Sequence, residues 1–503
     1  MNWLEIDVLH GVRNCYSRQY FFPIPNSQFP IPNSMSDLVI FWHRRDLRIS
    51  DNKGLALARE LSDKVVGIFC LDPNILLKDD VAPARISYML GCLQELQQSY
   101  AKANSQLLII RDEPSQGIPR IASALKAKAV VWNWDVEPYS KERDRTISTS
   151  LQNLGIATHN CWDQLLHSPE DIRTGSGQAY TVYTPFWKNW SSKPKSEPVK
   201  LFQNAIKLTE TELEAAKEAG ATALPTAKDL GFIWENQLLL APGETAAKER
   251  LVEFCGKAIF AYQEQRNFPA VDGTSRLSAA LKFGAIGIRS VWNATIKAME
   301  QTRSEEAQAG VKTWQQELAW REFYQHAMYH FPELAEGAFR EVFKTFPYDN
   351  NEELFQAWCE GKTGYPIVDA AIRQINETAW MHNRCRMIVA NFLTKDLLID
   401  PRKGEKYFMQ NLYDGDLSAN NGGWQWSASS GMDAKPLRIF NPASQAQKFD
   451  SEAEYIKQWL PELRSVDAES LVTGKITAIE RKALGYPEPI VDHNQQQREF
   501  KNR

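Results

Sequence analysis

Three carboxylates, three amides, two adjacent glycines and two tryptophans crowd into residues 414–433, DGDLSANNGGWQWSASSGMD. Asp414 and Asp416 come first, then Asn420 and Asn421, Gly422 and Gly423, and finally Trp424 and Trp426. Aspartate and asparagine bring directed acceptors and donors. Glycine lets the backbone close on a bulky ligand, and tryptophan adds flat apolar area with one N–H. The mixture suits a site that grips a large flat heterocycle. A Gly-rich turn between helices with core tryptophans would have the same composition, and residue types alone do not separate the two.

Other stretches carry chemistry of their own. TSRLSAALKFG (274–284) puts Thr274, Ser275 and Ser278 at a helix start. Free N–H groups and hydroxyls there make either a phosphate seat or a simple N-cap. Glu317 and Trp320, in QELAWREFY, are three apart and share a helix face. Cys70 and Asp72, Arg85, and Asp135 with Glu137 fall just beyond apolar runs.

Those runs define the first layer. LVIFWH (38–43), VVGIFCL (65–71), LLII (107–110) and AVVWNW (129–134) alternate with helical patterns, as buried parallel strands do. An α/β domain over 36–165 is expected, Rossmann-like but without G-x-G-x-x-G. Ligands of such sheets bind beyond the strand C-termini, which is where the three groups named above fall. Residues 166–243 read as a polar, irregular linker, with SSKPKSEPVK (191–200) at its centre. From Glu244 to Arg503 the pattern is all-α; Leu251, Phe254, Cys255, Ala258 and Tyr262 keep helical spacing. Residues 1–35 read as a disordered tail with FPIPNS twice, and Met35 as the natural start.

Bulk composition narrows the function. The chain has 503 residues and net charge −4, so nucleic acid would need a local basic face. Seven cysteines without CxxC suggest reduced thiols in the cytoplasm. Eight scattered histidines predict no metal site, and no apolar run approaches a membrane span.

The 414–433 stretch, followed by RIFNPASQAQKFD (438–450), resembles the flavin and DNA signature of the photolyase/cryptochrome family. The resemblance is closest to class I cyclobutane pyrimidine dimer photolyases of cyanobacterial type, and runs from about Ser36 to near the C-terminus. It implies an α/β antenna domain and a helical FAD-binding domain, with reduced FAD as the active form. It implies light-driven electron transfer to a flipped-out dimer, damaged DNA as partner and a monomer.

Residue by residue, Tyr262, Thr274, Ser275, Arg276, Leu277, Ser278 and Leu281 match positions that hold FAD, as do Gly415 and Asn420. Arg386 and Asp414 match an ion pair beneath the flavin, Asp416 the acceptor for its N3–H, and Asn383 the residue facing N5. Glu317 matches the group that hydrogen-bonds the dimer; Trp320, Trp426 and Met387 match the walls around it. Methionine at 387, where (6–4) enzymes carry histidine nearby, favours cyclobutane dimers. Arg266, Arg384, Gln447 and Lys448 are the implied phosphate contacts.

For the crevice, the resemblance implies an 8-hydroxy-5-deazaflavin antenna, with folate second, held by Cys70, Asp72, Arg85, Asp135, Glu137 and Lys282. One departure stands out. Trp424 matches the proximal member of the usual electron relay, but Pro401 and Tyr348 occupy the other two positions, leaving Trp358 or Trp380 as substitutes. The rival expectation is a cryptochrome-like blue-light receptor; it predicts loss of Glu317 or Trp320, and both are present.

Overall fold

The computed structural model describes residues 37–433 and 438–503. The 1–35 tail and the start expected at Met35 lie outside the described residues. The first layer is a six-stranded sheet of order β5-β4-β1-β2-β3-β6. Strands β1 (Val39–His43), β2 (Val65–Cys70), β3 (Leu107–Ile110), β4 (Ala129–Asn133) and β5 (Ala157–Cys161) are mutually parallel. β1 to β4 are buried on both faces, which is why they read as unbroken apolar runs. Strand order reverses beside β1, between β2 and β4. The loops after β1 and β4 therefore diverge and open a crevice at their carboxyl ends.

The 166–243 connection is not irregular as expected. It contains the helix Tyr183–Ser192, with Phe186 and Trp190 buried, and the helix Glu210–Glu218. It also supplies β6 (Ala221–Thr222), antiparallel to β3. Its prolines and lysines lie between these pieces, so the polar composition conceals the anchors. The helical reading from Glu244 also needs correction. That helix ends at Gly256, and Tyr262 begins a separate turn, Tyr262–Gln265, after a 3-10 segment.

Layer and helices share one hydrophobic core: Tyr88 from the α/β side packs on Phe283 and Tyr413 from the helical side. Buried ions join them as well. Arg289 pairs with Asp51 at 2.7 Å and with Asp163 at 2.6 Å; Arg48 also reaches Asp163 at 2.6 Å. Each charge there has partners, without which desolvation would prevail.

Candidate functional site

Three helices bring the 414–433 stretch together with its partners. The stretch itself forms the helix Leu417–Ala428, capped by Asp416, whose Oδ1 accepts from Ala419 N at 2.9 Å. The helix Asn383–Lys395 packs beside it and delivers Arg386, whose Nη2 donates to Asp414 Oδ2 at 2.8 Å. The long helix Glu305–His330 supplies Glu317, Trp320 and Tyr324. Gly422 is needed here: a Cβ would meet the Tyr324 ring at 2.2 Å.

Glu317 Oε1 accepts from Arg266 Nη1 at 2.5 Å. Burial works against the Arg266 cation, but the Glu317 carboxylate holds its pKa above the usual value. Trp320 stacks on Tyr183, with centroids 3.6 Å apart and planes 7° from parallel. Tyr183 lies in the connection and was not anticipated as a site residue. Arg384 donates to Asn267 Oδ1 at 2.5 Å and lies 4.3 Å over Phe449. Burial, then Arg266 and Arg438, lower its pKa to about 10. Arg438 in turn sits 5.4 Å over the Trp426 ring. A face of three arginines thus runs from Glu317 to Trp426. Gln447 and Lys448 are exposed on the helix Pro442–Phe449, Met387 is half-buried, and Asn383 is exposed in the first turn of its helix.

The Thr274–Ser278 turn departs from simple capping. The helix Ser278–Phe283 has Leu277 as its N-cap and no side-chain cap bond; Arg276 sits at φ 53°. Asn420 spends its amide on Glu405 O at 2.9 Å.

The crevice beyond β1 and β4 is narrow and lined by Arg44, Arg45, Asn133, Trp134, Asp135 and Gln164, among others. Arg45 was missed by sequence reasoning, yet it is the hub. It pairs with Glu137 at 2.7 Å, with Asp135 at 3.4 Å and with Asp416. Asp416 is therefore engaged at both oxygens, with each retaining a lone pair. Asp416 can therefore still accept a further N–H while Arg45 and Ala419 fix its orientation. Lys282 completes the set; burial and Arg45 lower its pKa to about 8, against Glu137 and Asp416. Arg85 reaches Gly415 O at 3.4 Å. Cys70 and Asp72, expected in the antenna group, bond elsewhere. The Cys70 thiol donates to Asp112 O in the other core layer, and Asp72 caps a helix and accepts from Tyr139. Neither has a hydrogen bond or ion pair to the Arg45 cluster.

Residues 39–204 match the family model described as DNA photolyase, and residues 314–503 the FAD binding domain of DNA photolyase. A deoxyribodipyrimidine photo-lyase of Synechococcus sp. is 58% identical over 93% of this chain and 96% of its own. A bacterial class III photolyase structure from Agrobacterium tumefaciens superposes with TM-score 0.83 at 33% identity, covering 94% of this chain and 98% of that one. The chain belongs to the DNA photolyase family. A cryptochrome structure from Synechocystis sp. shares the fold, with TM-score 0.84 at 27% identity over 92% and 98% of the two chains.

The residues of this photolyase fit an FAD. Asp414 Oδ1 is a buried acceptor without a protein partner, beside the cationic Arg386. His382 Nδ1 accepts from Arg384 N, which leaves Nε2 as the protonated nitrogen, also buried and unpartnered. A cofactor with both acceptors and donors would satisfy this pair. Among the described residues no group of three or more metal-ligating side chains occurs, and no helix is long and apolar enough to cross a membrane.

Proposed function

We propose that this photolyase repairs cyclobutane pyrimidine dimers in DNA under blue light, with reduced FAD as its cofactor. One observation carries the reading: Glu317 and Trp320 lie on the same face as Trp426, joined by Arg266, Arg384 and Arg438. The face combines what a damaged base needs with what its flanking phosphates need. The Thr274–Ser278 turn, Tyr262, Leu281 and the Arg386–Asp414 pair would hold FAD, with Gly415, Asp416 and Asn420 beside them. When bound and reduced, FAD supplies a photoexcitable one-electron donor.

The chain does the rest. Photolyases extrude their target from the duplex, and a damaged base is the easiest to extrude. Trp320, stiffened by Tyr183 behind it, and Trp426 supply flat walls for the extruded dimer. Glu317, with one oxygen paired to Arg266, presents the other to a base N–H. Met387 closes the pocket without a titratable group. Asn383 offers a neutral amide beside the flavin, adding no charge.

For the antenna we infer 8-hydroxy-5-deazaflavin in the crevice, held by Arg85, Asp135, Glu137 and Lys282 together with Arg45. The support is cationic: an acidic phenol is stabilised as its anion by Lys282 and Arg45. The protein acts as a monomer in the cytoplasm.

The test is direct. Purified protein with reduced FAD, mixed with a thymine-dimer oligonucleotide, restores thymine absorbance under near-UV or blue light and not in the dark. Intact dimers after illumination of the reduced holoprotein would overturn the reading, and chromatography of the released chromophores decides the antenna.

A further inference from the structure

Asn391 and Lys395 are one turn apart on the helix Asn383–Lys395, and both are buried. Lys395 Nζ donates to Ser429 Oγ at 2.8 Å and to the Arg438 carbonyl at 2.5 Å. Asn391 Nδ2 donates to the carbonyls of Ser427 and Arg438, each at 3.1 Å, while Asn391 Oδ1 accepts from Phe440 N at 2.7 Å. Two side chains of one helix therefore grip the chain where it leaves Trp426 and again where it returns at Arg438.

Packing alone does not account for a lysine there. Burying an ammonium is unfavourable unless hydrogen bonds compensate it, and here they do so by holding one particular segment. The charged groups facing Lys395 are Arg438, which opposes its protonation, and Asp396, which favours it. Asp396 is itself engaged by His493 of the helix His493–Asn502, and the Phe500 ring lies 5.7 Å from the ammonium. The gain lies in what lysine holds: oxygens from both ends of one segment.

The segment ends where substrate is expected. The Arg438 guanidinium covers Trp426 at 5.4 Å and Phe440 at 5.1 Å, and it crowds Arg384. Cations gathered on one face are relieved by an anion, and a duplex presents a row of them.

Resting on the repair reading above, in which Arg438 belongs to the phosphate-facing arginines, we propose that Lys395, with Asn391, is the positioning residue that fixes the Arg438 backbone for its phosphate beside the flipped dimer.

The experiment uses FAD-loaded full-length protein and a labelled duplex carrying one cyclobutane thymine dimer, titrated in the dark by anisotropy. Arg438→Ala and Lys395→Met each weaken binding about tenfold, and the double variant is no weaker than Arg438→Ala, because the two act as one unit. Lys395→Met also keeps the flavin spectrum and repairs at the wild-type rate when DNA is saturating. A lysine that held only the fold would instead lower the melting temperature and leave the affinity of the folded protein for lesion DNA unchanged. Wild-type affinity in Lys395→Met, or losses that multiply in the double variant, would overturn the proposal. Should Lys395→Met not fold, Ser429→Ala decides: a weaker complex supports the staple, and unchanged affinity refutes it. A wild-type chain that does not prefer lesion DNA would sink the repair reading itself, a result distinct from the variant outcomes.

Discussion

Trp424 and Trp358 meet edge to face, with ring centroids 6.2 Å apart and planes at 68°. The two positions where the family's other relay tryptophans are expected hold Pro401 and Tyr348. Pro401 opens the helix Pro401–Asn411, where a missing N–H costs nothing, and Tyr348 packs on Phe346. Trp380 lies against His382 and Arg276 instead. Of the two substitutes, Trp358 is the one in ring contact with Trp424. Trp358→Phe should slow photoreduction of oxidised flavin by on the order of tenfold in transient absorption, a barrier change of about 1.4 kcal/mol. Repair by pre-reduced protein should be unchanged. A wild-type photoreduction rate in the variant would remove Trp358 from the route.

The Glu317–Arg266 pair predicts a separation of roles. Glu317→Ala should lower repair per absorbed photon several-fold while flavin content stays constant. Arg266→Ala should mainly weaken dark binding. Equal effects of both variants on both measurements would contradict the assignment of carboxylate to base and guanidinium to phosphate.

Salt dependence offers an independent reading of the basic face. Each arginine that neutralises a phosphate should contribute about 0.9 to the slope of log K against log salt. Removing Arg266 or Arg384 should flatten the slope by that amount, and a titration series from low to moderate salt measures it. An unchanged slope would place that arginine off the duplex.

Lys282 predicts a pH effect in the crevice. Burial and Arg45 bring its pKa to about 8, so its charge is present below that pH and lost above it. A bound anion itself raises the Lys282 pKa, so retention of an anionic deazaflavin should fall as pH rises above 8, and Lys282→Met should abolish that dependence. The stability sign is opposite: folding lowers the pKa from 10.5, so the penalty applies below pH 8 and is relieved on going toward 10.5. Gel filtration at stepped pH, followed by chromophore quantification, checks the first; thermal melts check the second.

Sequence patterning reveals β1 to β4 because both faces are buried, but not β5, whose ATHNC is half-exposed at the sheet edge. β6 is too short to leave a pattern. The Arg386–Asp414 pair was legible because both residues sit in dense motifs. Arg45, Tyr183 and Arg438 were not. In HRRDLRISDN an arginine looks like any solvated charge, and only the fold brings it to Asp416, far along the chain. Tyr183 looks like part of a connection until the Trp320 ring is laid on it. Lys395 looks like an ordinary C-terminal helix lysine, since burial is invisible in one dimension.

Arg45 and Arg85 have one more consequence. Both belong to the α/β layer, yet one grips Asp416 and the other the Gly415 carbonyl, inside the 414–433 stretch of the helical half. The halves are therefore keyed to each other and are not free modules. A chimaera that borrows its α/β half from a distant cousin must bring matching guanidiniums along, or Asp416 and the Gly415 carbonyl will lose the cations that reach them across the seam.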